Sequence, residues 1–402
     1  MDGPVVTDDA PRPRIAIAHD YLTQRGGAEK VVLSLSRAFP DAVIHTLLFE
    51  PDQTYPEFAD KTVVTSPVNR IGFLRKNHRA ALPLLPFAAS RMVIDADIVL
   101  TSTSGWAHGF STTGTKIVYC YSPARWLYQT DVYLGETPST LKRFAMSAMG
   151  PGLKRWDRRA AYSCDRYLAI SNAVRDRIRT TYGLSSTVVS APVTAPAPVE
   201  GAVSPDASLT DAPFFLCISR LLSYKNVDKV IEAFRGSGRR LVVVGRGPEK
   251  DALQAICPDN VTMLQDLTDA EMAWLYQHCV AVVAASYEDY GLTPLEGGMY
   301  GKPCVVLRWG GFLDTVVEGI NGEFFDEPEP EQIRDAVDRV VAMDWDTDVI
   351  RHHVHKFDES AFISEIRRVI DESTPGPKPA EPGATELRPT DLGPAASAKE
   401  MV

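Results

Sequence analysis

The chain has 402 residues, 45% of them apolar and 23% charged, and a formal net charge of −10. That length exceeds one comfortable core and favours two domains, and the composition is that of an ordinary globular protein. The negative balance argues against nucleic-acid partners, whose nonspecific binding needs a basic face. Residues 1–13 are acidic and Pro-rich, lack the apolar core of a signal peptide, and are expected to be disordered. The fold is expected to begin at Arg14, with a strand over 15–18. A loop holding Gly26-Gly27 then leads into a helix carrying Val32, Leu35, Ala38 and Phe39 near helical spacing. Strand-like runs follow at 43–48, 98–101, 116–121 and 167–170, most of them separated by helical stretches. Residues 190–213 carry five prolines among small residues, a composition that buries little apolar surface. A linker is therefore expected over 191–213. Strand–helix alternation restarts at 214–219, 241–245, 261–264, 280–285 and 304–307. From 372 to 402 the chain is again Pro/Ala/Gly-rich and expected to be disordered. Strands alternating with helices predict parallel sheets and an α/β class, here in two domains with a ligand cleft between them.

The charge is unevenly divided. Residues 1–195 hold 23 Lys and Arg against 17 Asp and Glu, and the remainder holds 19 against 35. The six cysteines lie far apart with no CxxC pair or Cys/His cluster, so free thiols in a reducing cytoplasm are expected, and no metal site. No apolar run reaches the ~20 residues that span a bilayer, which predicts a soluble or peripheral protein. Residues 70–91 mix Arg70, Arg75, Lys76 and Arg79 with large apolar groups. Two readings stand for them: a patch resting on an anionic membrane at the inner face of the cell, or a helix packed on its own domain.

The most informative segment runs from Ser286 to Pro303. A strand is expected to end at Ala285 and a helix to start with Thr293 as N-cap and Pro294 at N1. Glu288 then lies in the preceding loop and Glu296 in the first turn. The free N–H groups around Leu292–Leu295 suit a phosphate, and Gly291, Leu292 and Thr293 are placed at the donor. A second reading makes Thr293–Glu296 a mere capping box. Arg220 and Lys225 follow the strand at 214–219, where open α/β sheets face their ligand crevice, and two cations there suit a diphosphate. Gly26-Gly27 and Gly245-x-Gly247 each follow a strand. Neither completes a Walker or dinucleotide-binding motif, so each is a close-approach site for an anion or an ordinary turn. His108, flanked by small residues after a strand, is expected either to line the cleft or to be an ordinary loop histidine.

Together these segments resemble family 4 of the retaining glycosyltransferases, over almost everything from Arg14 to Ile370. The C-terminal half carries the more specific series: Arg220…Lys225-Asn226, Gly245-x-Gly247-Pro248, Glu288-x7-Glu296, Gly310-Gly311 and Asn321-Gly322. Ala18-His-Asp-Tyr-Leu and Gly26-Gly-Ala-Glu29 resemble a branch that includes mannosyltransferases of O-antigen and exopolysaccharide synthesis. The resemblance implies a GT-B fold: two Rossmann-like domains, 14–190 and 214–357, facing each other across a cleft, with a helix over 358–371 returning to the first. It implies a nucleotide diphosphate sugar donor (GDP-mannose for this branch), a glycan or lipid-linked acceptor, and no metal or resident cofactor. Arg220 and Lys225 are expected to hold the diphosphate, with Gly26-Gly27 approaching from the opposite domain. Glu288 is expected to meet the transferred sugar and Glu296 the ribose. One departure stands out: Tyr121 occupies the strand end where related members often carry histidine, with Pro123 and Arg125 following. Tyr121 and Arg125 are placed on the acceptor side. The alternative is a catalytically idle GT-B protein that binds a polysaccharide intermediate or a partner.

Overall fold

A computed structural model describes residues 13–77, 81–82, 84–129, 140–194, 196 and 202–373. The two termini expected to be disordered lie almost wholly outside these residues. Seven parallel strands form the first sheet: β1 (Ile15–His19), β2 (Val43–Thr46), β3 (Val63–Thr65), β4 (Ile98–Thr103), β5 (Thr115–Cys120), β6 (Arg166–Ala169) and β7 (Thr187–Val188). Their order is 3-2-1-4-5-6-7. A second sheet of six holds β8 (Phe214–Ile218), β9 (Arg240–Val244), β10 (Val261–Leu264), β11 (Val282–Ala284), β12 (Cys304–Leu307) and β13 (Gly322–Phe325), ordered 10-9-8-11-12-13. Each sheet therefore reverses direction beside its own first strand, between β1 and β4 and between β8 and β11. Parallel doubly wound sheets bind ligands at the C-terminal ends of the strands flanking such a reversal.

The strands form because they are near-continuous apolar runs, as double-sided burial requires. Leu241, Val242 and Val243 of β9 are fully buried, as are Cys304, Val305 and Val306 of β12. The strands β3, β7 and β13 escape the sequence reading, the first two because they span only three and two residues.

Seven helices matter below: α1 (Gly27–Ala38), α2 (Leu85–Arg91), α3 (Thr140–Tyr162), α4 (Asn172–Tyr182), α5 (Val227–Phe234), α6 (Leu292–Met299) and α7 (Glu359–Ser373). The α4 helix is bounded by Ser171, whose hydroxyl accepts from Val174 N–H, and by Gly183 in the left-handed conformation. Helix α7 belongs to the core of the first domain, burying Phe362, Ile366 and Val369 there. Its Glu359 accepts from Ser34 and Arg37 of α1.

The connection between the domains corrects the compositional reading. Ala191 and Val193 are 2% and 4% exposed, and Leu209 joins the core of the second domain. Val193 N–H also donates to Phe357 C=O at 2.8 Å. Low apolar content does not prevent a few well-placed side chains from docking on preformed cores.

Candidate functional site

The first loop of the second domain leaves β8 and carries Lys225 on a single turn of 3-10 helix (Ser223–Lys225). Asn226 then takes the left-handed conformation and opens α5. Its side-chain amide donates to Ala285 C=O at 2.8 Å, tying this loop to the end of β11. Lys225 is 8% exposed and ion-paired with Glu288 of the β11–α6 loop. Ser286 Oγ donates to Glu288 Oε1 at 3.1 Å. Burial works to raise the Glu288 carboxyl, but attraction and hydrogen bonding from Lys225, with help from Arg125, hold it below the usual carboxylate range.

Helix α6 starts differently from the expected Thr293 cap. Gly291 is the N-cap at φ 84°, and the helix begins at Leu292 with no side-chain cap. Only glycine fits there: a β-carbon would meet the Phe312 ring at 2.4 Å, besides the strain of the positive φ. Pro294 falls at the third helical position, where its missing N–H costs nothing because that group has no intrahelical partner. Glu296 consequently makes no capping box. Its Oε2 accepts from Tyr276 O–H at 2.7 Å, and its Oε1 stands 3.5 Å from Lys30 Nζ of the first domain.

Lys225, Glu288, Gly291 and Thr293, with Ser219 and Ser286, line a hollow of about 280 Å³, counting the part open to solvent. With a cation, a carboxylate and three hydroxyl side chains in its lining, the hollow suits one polar end of a larger ligand. Across from it lies the start of α1. A β-carbon on Gly27 would stand 2.9 Å from Leu292 Cδ1, so the starts of α1 and α6 meet at the cleft. Two helix N-termini, each with N–H groups that lack an intrahelical partner and a positive dipole end, come together there.

Other expected residues fall elsewhere. Arg220 is exposed at the rim, its guanidinium donating to Tyr224 O–H at 3.3 Å, and does not line the hollow. Gly245 and Gly247 are required by backbone packing. Their β-carbons would stand 1.9 Å from Ser219 C=O oxygen and 2.1 Å from that of Leu221. His108 does not line the cleft. It is 1% exposed inside the first domain, between Tyr167 O–H at 2.8 Å and Asp157 Oδ1 at 3.0 Å. Tyr121 donates to Ala28 C=O at 3.2 Å and meets Ser102 Oγ at 2.8 Å, bracing the start of α1 from beneath. Arg125 Nη2 is ion-paired with Asp289 at 2.6 Å, while its Nε is buried without a hydrogen-bond partner.

Sequence reasoning missed several site-shaping groups. Asp20, at the end of β1, accepts from the N–H groups of Ser104, Trp106 and Ala107 and fixes the loop after β4. Buried His19 sits beside Ser102 and Glu29. Burial alone would lower its imidazole, but Glu29 outweighs that and raises it. Asp20's place at a strand end was a usable signal; the partners of His19 were not visible. Among the described residues, no group of three or more His, Cys, Asp or Glu is arranged to hold a metal ion.

Two doubly wound domains facing across a cleft make a GT-B fold, and the chain belongs to family 4 of the glycosyltransferases. The profile described as Glycosyltransferase Family 4 matches residues 25–194, and that described as Glycosyl transferases group 1 matches residues 204–360. A GDP-mannose-dependent alpha-(1-6)-phosphatidylinositol monomannoside mannosyltransferase of Mycolicibacterium smegmatis is 28% identical over 80% of each chain. Alpha-1,3/1,6-mannosyltransferase ALG2 of Dictyostelium discoideum is 27% identical over 36% of this chain, and the match spans only 41% of that enzyme. Among solved structures, the lipopolysaccharide outer core galactosyltransferase WaaB aligns over 90% of this chain and 99% of its own, at TM-score 0.62 and 18% identity. Anabaena HepE in complex with UDP-glucose aligns over 89% of this chain and all of its own, at TM-score 0.64 and 16% identity. At such identities these structures speak for the fold alone.

Proposed function

We propose that this chain transfers a hexose, mannose from GDP-mannose, to a glycan or lipid-linked acceptor of envelope polysaccharide synthesis, with retention and without a metal. The observation that carries this reading is the meeting of the α1 and α6 starts beside the Lys225–Glu288 pair. An anion with sugar hydroxyls attached is what such a place recognises: N–H groups and a cation for the diphosphate, a carboxylate for the hydroxyls. The two mannosyltransferase relatives named above support mannose, and the GDP-mannose-dependent enzyme of Mycolicibacterium smegmatis supports a GDP donor.

In the proposed step the bond between the sugar's C1 and the diphosphate oxygen breaks as the acceptor oxygen bonds C1 on the same face. The acceptor proton passes to the departing diphosphate, leaving GDP and the new glycoside. Lys225 and the helix starts are preorganised for the charge that grows on the leaving oxygen, which lowers the barrier because they bind it better than the ground state. Arg220 is assigned to the same charge, turning from Tyr224 to the diphosphate. Glu288 orients the transferred sugar, and Glu296, held by Tyr276, takes the ribose hydroxyls.

A panel of nucleotide sugars in thermal shift and product analysis tests the reading. GDP-mannose at 100 times its dissociation constant should stabilise the protein by about 2.7 kcal/mol. Lys225→Ala should lower kcat by about 100-fold, or 2.7 kcal/mol of barrier. Unchanged turnover in that variant removes the leaving-group role. Donor binding with no release of GDP by the wild type favours the idle alternative, which the Tyr121 departure alone suggests.

An anionic membrane is the second partner we propose. Phe73 and Phe87 are 68% and 62% exposed, and Arg91 lies over the Phe87 ring. Helix α2 meanwhile buries Leu85, Ala88 and Ala89, so the segment packs on its domain with one face and offers the other outward.

A further inference from the structure

Glu288 and Asp289 are adjacent in sequence, yet their carboxylates serve opposite domains. Glu288 turns inward to Lys225 of its own domain. Asp289 turns across the cleft, where its Oδ2 meets Arg125 Nη2 at 2.6 Å and its Oδ1 accepts from Arg177 Nη1 at 2.7 Å. Arg125 opens the short helix after β5 and Arg177 lies on α4, so both cations belong to the first domain. Arg177 is itself braced, donating to Ser122 Oγ at 2.7 Å. The side chains of Asp289 and Arg177 are each 13% exposed and that of Arg125 is 22% exposed, so water screens these pairs less than ordinary surface ones.

The loop is gripped from its other side as well. Gly311 N–H donates to Glu288 C=O at 3.0 Å, and a β-carbon on Gly310 or Gly311 would stand 2.2 Å from Glu288 C=O oxygen or from Tyr290 Cα. Close by, Asp314 accepts from Asn172 N–H at 2.8 Å at the start of α4. The acid-bearing loop therefore has two anchors, a glycine pair in its own domain and two guanidinium groups in the other. None of Asp289, Arg125 or Arg177 lines the donor-side hollow.

We propose that Asp289 is a positioning residue: clasped by Arg125 and Arg177, it ties closure of the two domains to the placement of Glu288 beside the transferred sugar. This rests on the transferase reading above. Since every residue lining the donor hollow belongs to the second domain, with the first domain adding only the α1 start, loss of the clasp should cost transfer far more than donor affinity.

Asp289→Asn, which keeps the shape and removes the charge, is the test, with GDP-mannose as the probe. Its dissociation constant by calorimetry should stay within about threefold, while kcat falls by about thirty-fold. Small-angle scattering of the full chain should show a more open molecule than the wild type. Asp289→Glu should recover much of kcat, and Arg177→Gln, which breaks the clasp from the other side, should repeat the pattern. Unchanged kcat overturns the proposal, as does a loss of donor affinity equal to the loss of turnover, which would put Asp289 in the donor site. Equally fatal is a variant as compact as the wild type. If the wild type neither binds nor consumes any nucleotide sugar, the transferase reading falls, and scattering still decides whether the clasp holds the domains together.

Discussion

Glu296 shows how one side chain carries two duties. Its Oε2 satisfies the hydroxyl of Tyr276, which is 1% exposed, while Oε1 faces Lys30 across the cleft. Removing the carboxylate outright would strand a buried hydroxyl, at a cost of about 1–3 kcal/mol that has nothing to do with ligand binding. Glu296→Gln avoids this, because its amide oxygen still accepts from Tyr276. That variant should keep its stability within about 1 kcal/mol and lose GDP-mannose affinity by about tenfold, or 1.4 kcal/mol. Denaturant titration and calorimetry on the same protein check both halves. Stability lost without a change in affinity would reduce Glu296 to a structural acceptor for Tyr276.

At the scale of elements, the site is made by where helices begin. The α6 start depends on Gly291 in a left-handed conformation, not on the hydroxyl two residues later. Thr293→Ala should therefore leave stability within about 0.5 kcal/mol, the range of ordinary half-buried substitutions away from special features. Gly291→Ala should cost more than about 2 kcal/mol, combining positive-φ strain with a clash against Phe312. Chemical denaturation of the two variants separates the cases. A Thr293→Ala loss near 1 kcal/mol would restore the threonine as cap. The strand ends contribute in the same manner: β8 delivers Lys225, β11 delivers Glu288, and the order of strands in the sheet places both loops side by side.

For the whole molecule, the unequal charges of the two halves acquire a geometry. Three carboxylates of the acidic second domain, Asp289, Glu296 and Asp314, face Arg125, Arg177, Lys30 and Asn172 of the first. The basic excess of the first domain also collects away from the cleft. Between Asp60 and Asp95 the sequence has no acidic residue and six basic ones. On α3, Lys154, Arg155, Arg158 and Arg159 are exposed, and Trp156 joins that helix to α2 by donating to Ser90 Oγ at 2.9 Å. No helix among the described residues is long and apolar enough to cross a membrane. Full-length protein should co-sediment with vesicles containing anionic phospholipid and much less with neutral ones, and added salt should release it. Phe73→Ser with Phe87→Ser should lower the partitioning by at least about tenfold while the melting temperature stays put. Equal binding to neutral vesicles, or indifference to the two phenylalanines, rules the surface out.

What the sequence by itself determined was everything set by local pattern. Apolar runs made the buried parallel strands, and their alternation with helices made two α/β domains. The ordered series from Arg220 to Asn321 carried the family. Spacing along the chain also singled out Lys225, Glu288 and Gly291, which line one hollow, because strand ends are local events, although the start of α6 was placed two residues late. The tertiary structure decided what those residues touch. It turned Arg220 to the rim, spent Gly245 and Gly247 on backbone packing, buried His108 between Tyr167 and Asp157, and drew Arg125 to Asp289. The physical reason is range. Propensity and periodicity act over a few residues, whereas the Arg177–Asp289 bond joins positions 112 residues apart, and its existence depends on how two separately built domains come to rest.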